Sequence, residues 1–139
     1  MAESIDRNYM GGGIYRENII DHFQSPRNHG EMQNPDVKHK EFNPLCGDQI
    51  EMSLKITDGI IIEIKFIGKG CAISQASTSM LTEFVKNKPL YDAERISKDE
   101  IVAMLNIPIS PVRLKCALLG LDTLQNAIHI FENYKGGHV

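Results

Sequence analysis

Three cysteines, Cys46, Cys71 and Cys116, are the chain's most chemically versatile side chains, and Asp48 follows the first of them by two residues. Thiolates are both soft metal ligands and sulfur nucleophiles. Three thiolates and one carboxylate can close a tetrahedral zinc site or hold iron. A single cysteine is most simply read as a small buried apolar residue, and an Asp after Gly as a turn-former. The settings of the three cysteines favour chemistry instead. Cys46 lies in the turn "NPLCGD", Cys71 follows "GKG" just ahead of a helix, and Cys116 falls in the first turns of the last helix. There Leu114 and Leu118 take the buried stripe, so Cys116 is expected to be rotated away from it. Lys115 precedes Cys116 directly. It is an ammonium at neutral pH, able to favour a neighbouring thiolate or steady a persulfide; its simpler reading is a solvated helix lysine. An odd number of widely spread cysteines does not suit a disulfide framework, and with no C-x-x-C pair the chain is neither an ordinary zinc ribbon nor a thioredoxin-like redox protein. A reducing, cytoplasmic setting fits this cysteine usage.

The elements that must position these groups are legible in outline. The chain has 139 residues, 42% hydrophobic and 24% charged, enough for one domain with an ordinary core. A net charge of −3 leaves no basic footprint for nucleic acid or an anionic membrane surface. No apolar run approaches the roughly 18 residues of a membrane span, and the first residues lack the pattern of a secretory signal. Residues 1–13, with Gly11 to Gly13, are expected to be a flexible lead, residues 14–135 a single domain and residues 136–139 a tail.

Ile14, Ile19, Ile20 and Phe23 give a helical stripe that ends at Ser25-Pro26. "VKHKEF" is a short strand. "QIEMSLKIT" and "IIIEIKFIG" alternate apolar and polar residues around Asp58-Gly59 and predict a hairpin. Keeping Ile50, Met52, Leu54 and Ile56 on one face with Ile60, Ile62, Ile64 and Phe66 selects a three-residue loop, Thr57-Asp58-Gly59. Ile50 then faces Phe66, Met52 faces Ile64, and Glu51 faces Lys65. Extended backward, that register sets Cys46 level with Gly70. After Cys71, "AISQASTSMLTEFVKN" predicts a helix with Ile73, Ala76, Met80, Leu81 and Phe84 inward, its small residues allowing close packing on the sheet. "PLYDAERI" reads as a connection. "SKDEIVAMLN" is a helix opened by a Ser97–Glu100 capping box. The last helix covers Val112 to Tyr134, with Leu114, Leu118, Leu121, Leu124, Ile128 and Phe131 inward. The five histidines carry no cysteine neighbour and are not assigned to the site.

Taken together, "YRENIIDHFQSPRNHG", "NPLCGD", "GKGCAISQASTSMLTEFVK" and "PVRLKCALLGLDTL" resemble the iron–sulfur cluster scaffold family of IscU, SufU and the N-terminal domain of NifU. The resemblance runs from Ile14 to about Tyr134. It implies an α+β fold in which a small antiparallel sheet of about three strands is covered by helices on one face. It implies that Cys46, Asp48, Cys71 and Cys116 hold zinc or an assembling [2Fe-2S] cluster. It also implies a pyridoxal-phosphate cysteine desulfurase as sulfur donor, with Cys116 or Cys46 as sulfur acceptor, and iron–sulfur carrier or acceptor proteins as recipients. The chain would act as an assembly scaffold rather than a turnover enzyme, as a monomer or a cluster-linked dimer, with zinc in the cluster-free form. Two positions depart from the IscU pattern. Lys115 stands where IscU members carry His and so resembles SufU, a zinc-dependent sulfur acceptor, although the short interval between Cys71 and Cys116 resembles IscU. "ISPVR" replaces the leucine-proline-proline-valine-lysine stretch that a dedicated Hsp70 chaperone reads.

Overall fold

The computed structural model describes residues 12–45 and 47–137. The elements, in order, are α1 (Gly12–Gln24), β1 (Val37–Asn43), β2 (Asp48–Thr57), β3 (Ile60–Lys69), α2 (Ala72–Val85), α3 (Leu90–Glu94), α4 (Lys98–Leu105) and α5 (Pro111–Gly137). The strands form one antiparallel sheet in the order β1-β2-β3. α5 packs across β1 and β2, and α2 packs against β3, α1 and α5. The expected α+β architecture is thus the one found.

The hairpin differs from the expected pairing. Asp58 and Gly59 both have positive φ, 54° and 76°. They make a two-residue turn of the kind whose twist matches the flanking strands. Thr57 pairs with Ile60 and Ile56 with Ile61; then a bulge on β3 shifts the register, so that Leu54 faces Ile64, Met52 faces Phe66 and Ile50 faces Gly68. Strict alternation through Ile60 and Ile62 therefore fails. Ile60 and Ile62 are 37% and 43% exposed, whereas Ile61, Ile64 and Phe66 are fully buried. An extra residue in one strand flips the faces on either side of it, which reconciles a tight Asp-Gly turn with an apolar inner face. The same shift brings Asp48 level with Gly70; Cys46, expected there, lies outside the described residues.

The main core joins Ile50, Met52, Leu54, Ile61, Ile64 and Phe66 of the sheet to Leu118, Leu121, Leu124 and Ile128 of α5. Burying each such side chain contributes roughly 1.5–3 kcal/mol. α2 is different. Phe84 is exposed and Ile73 and Met80 are half-buried, while Ser74, Gln75, Ala76, Ser77, Thr78, Ser79, Leu81, Thr82 and Val85 are buried. The hydroxyls are satisfied locally: Thr78 Oγ1 donates to Ser74 O at 2.7 Å and Thr82 Oγ1 to Ser79 O at 2.7 Å. Ser77 Oγ reaches across to Ala117 O at 3.0 Å. α1 docks on this helix through Ile19 and polar contacts, with Ile20 and Phe23 left exposed. The segment read as a connection contains the short helix α3, whose five residues are too few to show a period. α4 opens on the Ser97–Glu100 capping box and closes on Asn106 in the left-handed conformation.

Candidate metal and sulfur site

The site lies where β2 begins, β3 ends and α2 and α5 start. Asn43, at the end of β1, shapes the approach: its Oδ1 accepts from Leu45 N–H at 3.0 Å, and its carbonyl accepts from Gly47 N–H at 2.8 Å. Cys46 lies outside the described residues. Asp48 follows as the first residue of β2 and is 2% exposed. Its Oδ1 accepts from the backbone N–H of Cys71 at 3.2 Å, and its Oδ2 lies 3.5 Å from Cys71 Sγ.

Cys71 is the N-cap of α2, with extended backbone angles and no side-chain capping bond, so its thiol is left to face the site. Cys116 is also 2% exposed. The expectation that it is rotated away from the buried side is therefore incorrect. α5 packs against the sheet and α2 together, so its buried arc is wide and takes in the whole run Cys116, Ala117, Leu118, Leu119, Gly120 and Leu121. Cys116 nevertheless belongs to neither apolar cluster.

One ligand atom each from Asp48, Cys71 and Cys116 lies within 4.8 Å of the others, and no other such cluster occurs among the described residues. Ligands about 2.3 Å from a tetrahedral centre would lie about 3.8 Å apart. An inward adjustment of about 1 Å therefore closes the set. Soft sulfur with one oxygen is a donor set that fits zinc or iron. His39 does not join it: it pairs across from Met52, and its Nε2 lies 2.5 Å from Glu41 Oε2.

Lys115 is exposed and lines two hollows beside the site. One, of about 320 Å³, holds Glu41, Lys98 and Asp122 among its walls. Burial pushes the Asp122 carboxyl up, with Lys98 opposing. Burial acts the same way on Glu41, but hydrogen bonds from His39 and Asn126 outweigh it and hold that carboxyl below its ordinary value. The other hollow is apolar and is lined by Leu45, Pro111 and Val112. Leu45 and Val112 are 76% and 74% exposed. This apolar rim was not anticipated; its only signal in the sequence is the unbalanced Leu45 beside Pro44.

Residues 14–137 match the model of the NifU-like N-terminal domain. The chain belongs to this family. NifU-like relatives include the iron–sulfur cluster assembly scaffold protein IscU of Azotobacter vinelandii, 36% identical over 126 residues, covering 88% of this chain and 97% of the relative. The zinc-dependent sulfurtransferase SufU of Bacillus subtilis is 33% identical over 132 residues, covering 83% and 89%. A crystal structure assigned to the SUF-system scaffold of Fervidobacterium islandicum AW-1 superposes with a TM-score of 0.69 at 30% identity, over 84% of this chain and 97% of that one. The NifU-like fold with its three-stranded sheet is therefore shared with the iron–sulfur cluster assembly scaffolds, and both IscU and SufU branches lie at similar distance. Among the described residues no helix is long and apolar enough to cross a membrane.

Proposed function

We propose that the chain is a scaffold on which [2Fe-2S] clusters are assembled in the cytoplasm, and that Cys46, Asp48, Cys71 and Cys116 are the ligands. The observation that carries this reading is the convergence of Asp48, Cys71 and Cys116 within 4.8 Å at one end of the sheet. The functional unit is the segment 14–135. Iron and sulfur are its substrates, and zinc fits the same donors in the cluster-free form. The sulfur donor is a pyridoxal-phosphate cysteine desulfurase bearing a persulfide. A thiolate of this chain attacks the terminal sulfur, the donor's S–S bond breaks, the donor leaves as a thiolate, and a new S–S bond forms here. Cys46 and Cys116 are the candidate acceptors. Exposed Leu45 and Gly47 flank Cys46, whereas Cys116 is buried, so Cys46 is favoured as the first. Conversion to sulfide takes two electrons per sulfur from an external protein reductant. The apolar rim of Leu45 and Val112 suits a docking partner. Lys115 lines the same hollow and directly precedes Cys116 in sequence. The product passes to an acceptor protein, and a carboxylate ligand on iron is easier to displace than a fourth thiolate.

Asp48→Ala is expected to slow cluster loss to an acceptor by at least about tenfold, in keeping with the cost of altering a ligand shell. Transfer as fast as in the parent would remove Asp48 from the release step.

A second reading is a zinc-dependent sulfurtransferase, favoured by Lys115 directly before Cys116 and by the match to SufU. One anaerobic experiment separates the two. The protein is incubated with ferrous iron, cysteine and a cysteine desulfurase, re-isolated, and assayed for iron, zinc and acid-labile sulfide. Near-equal iron and sulfide support the scaffold. Retained zinc, no labile sulfide and strong stimulation of the desulfurase support the sulfurtransferase.

A further inference from the structure

We propose that Gly70 is a positioning residue which, with the backbone N–H of Cys71, fixes Asp48 as a one-oxygen ligand. This rests on Asp48 being a metal ligand and states how it is held. Gly70 lies between the end of β3 and the N-cap of α2, level with Asp48. Its φ of +151° is one that side chains rarely adopt. The space above it is filled. A Cβ there would sit on Asp48 Oδ1 and Cγ, and 2.9 Å from Asp48 Cβ. The carboxylate therefore lies flat on the Gly70 backbone, in a slot that exists only because that residue has no side chain. Oδ1 is engaged by the Cys71 N–H at 3.2 Å, and Oδ2 is the oxygen turned to the Cys71 thiol, at 3.5 Å.

The division of labour between the two oxygens follows. A carboxylate can grip a cation with one oxygen or two. An oxygen already accepting a backbone hydrogen bond is less available to a metal, and such outer contacts orient the ligating atom. Three thiolates and Oδ2 make four donors, the number a tetrahedral centre takes. The slot would keep Asp48 from adding a fifth donor.

The test is a cycle of four proteins: parent, Gly70→Ala, Asp48→Gly and the double variant, each titrated with zinc against a chromophoric chelator. Asp48→Gly removes the three atoms nearest to where a Gly70 side chain would sit. Gly70→Ala is expected to weaken zinc binding about 10- to 100-fold in the parent and less than about twofold in the Asp48→Gly background. The backbone strain of alanine is present in both arms and cancels. Equal losses in the two backgrounds, or no loss in either, overturn the proposal. A parent that binds no zinc overturns the ligand reading beneath it.

A second measurement does not depend on the folding of Gly70→Ala. Amide hydrogen exchange at Cys71 in the metal-free protein is expected to speed up by about tenfold or more in Asp48→Gly. The Gln75 amide, which donates to Cys71 O at 3.2 Å, should be unchanged. Unchanged exchange at Cys71 shows that its N–H does not hold Oδ1 and overturns the proposal.

Discussion

The buried arc of α5 is built of two materials. Toward the sheet it presents Leu118, Leu121, Leu124 and Ile128, which join the aliphatic core. Toward α2 it presents Ala117 and Gly120, which meet the hydroxyls of Ser77 and Thr78. The first interface buries much apolar area and supplies stability. The second buries little, but small residues let two helices come close. α2 carries Cys71 at its N-cap and α5 carries Cys116 in its second turn, so the spacing of these helices sets the spacing of the two thiols. Stability and site geometry are thus assigned to different stretches of one wide buried arc, with Ala117 and Gly120 toward its N-terminal end and Leu121, Leu124 and Ile128 continuing it.

Substitutions in the aliphatic core and at the α2–α5 contact should separate these roles. Phe66→Ala, in the aliphatic core, is expected to cost about 3–5 kcal/mol in denaturant unfolding. Zinc affinity below the unfolding transition should change little. A large loss of affinity in a folded Phe66→Ala protein would mean that the core and the α2–α5 contact are not independent. Gly120→Ala should show the converse pattern. Its Cβ would strike Thr78 Oγ1, with Thr78 Cβ and Cα at 3.1 and 3.2 Å. Forcing the helices apart is expected to cost about 1–3 kcal/mol. It should weaken zinc binding by a larger factor than Phe66→Ala does, because it widens the distance from Cys71 to Cys116. Equal zinc affinity in Gly120→Ala and the parent would refute the spacing argument.

The same contrast explains what could be read in advance. The aliphatic face of α5 follows a helical period of large residues, so Leu118, Leu121, Leu124 and Ile128 were legible. The inner face of α2 was not, because serine and threonine carry no apolar signal when their hydroxyls are satisfied within the helix; Phe84 was placed inward and is exposed. The hairpin was legible as a hairpin, but a bulge has no residue signature inside an isoleucine run, so the register missed by one and then two positions. At the site, residue chemistry picked out Asp48, Cys71 and Cys116, and the structure gathers them. It could not supply the burial of Cys116, which arises only because two layers close over α5. Nor could it supply the slot at Gly70, which depends on the corrected register.

The hydroxyl-rich surface of α2 also docks α1, and here the comparison extends to pH. His22 Nδ1 lies 2.7 Å from Ser79 Oγ, which also accepts from Arg27 N–H at 2.8 Å. The serine hydroxyl keeps both a hydrogen and a second lone pair for His22, so either neutral tautomer can make this contact, and Nε2 lies 3.8 Å from Glu83. Burial holds His22 below the ordinary histidine value of 6.5; the Arg27 charge acts the same way, while Glu83 and Asp21 oppose. The unfolded chain therefore binds a proton more readily than the folded one, and stability falls with pH. The contribution is fully present above about 6.5 and is lost as pH drops through that value toward the lower folded one. Urea unfolding of the parent should thus lose more between pH 7.5 and pH 5.5 than that of His22→Gln, which keeps a hydrogen-bonding side chain but cannot titrate. Equal losses would show that α1 docks without a pH-sensitive contact. The aliphatic face of α5 has no titratable group, so a pH effect removed by His22→Gln would assign this sensitivity to the polar side of the molecule.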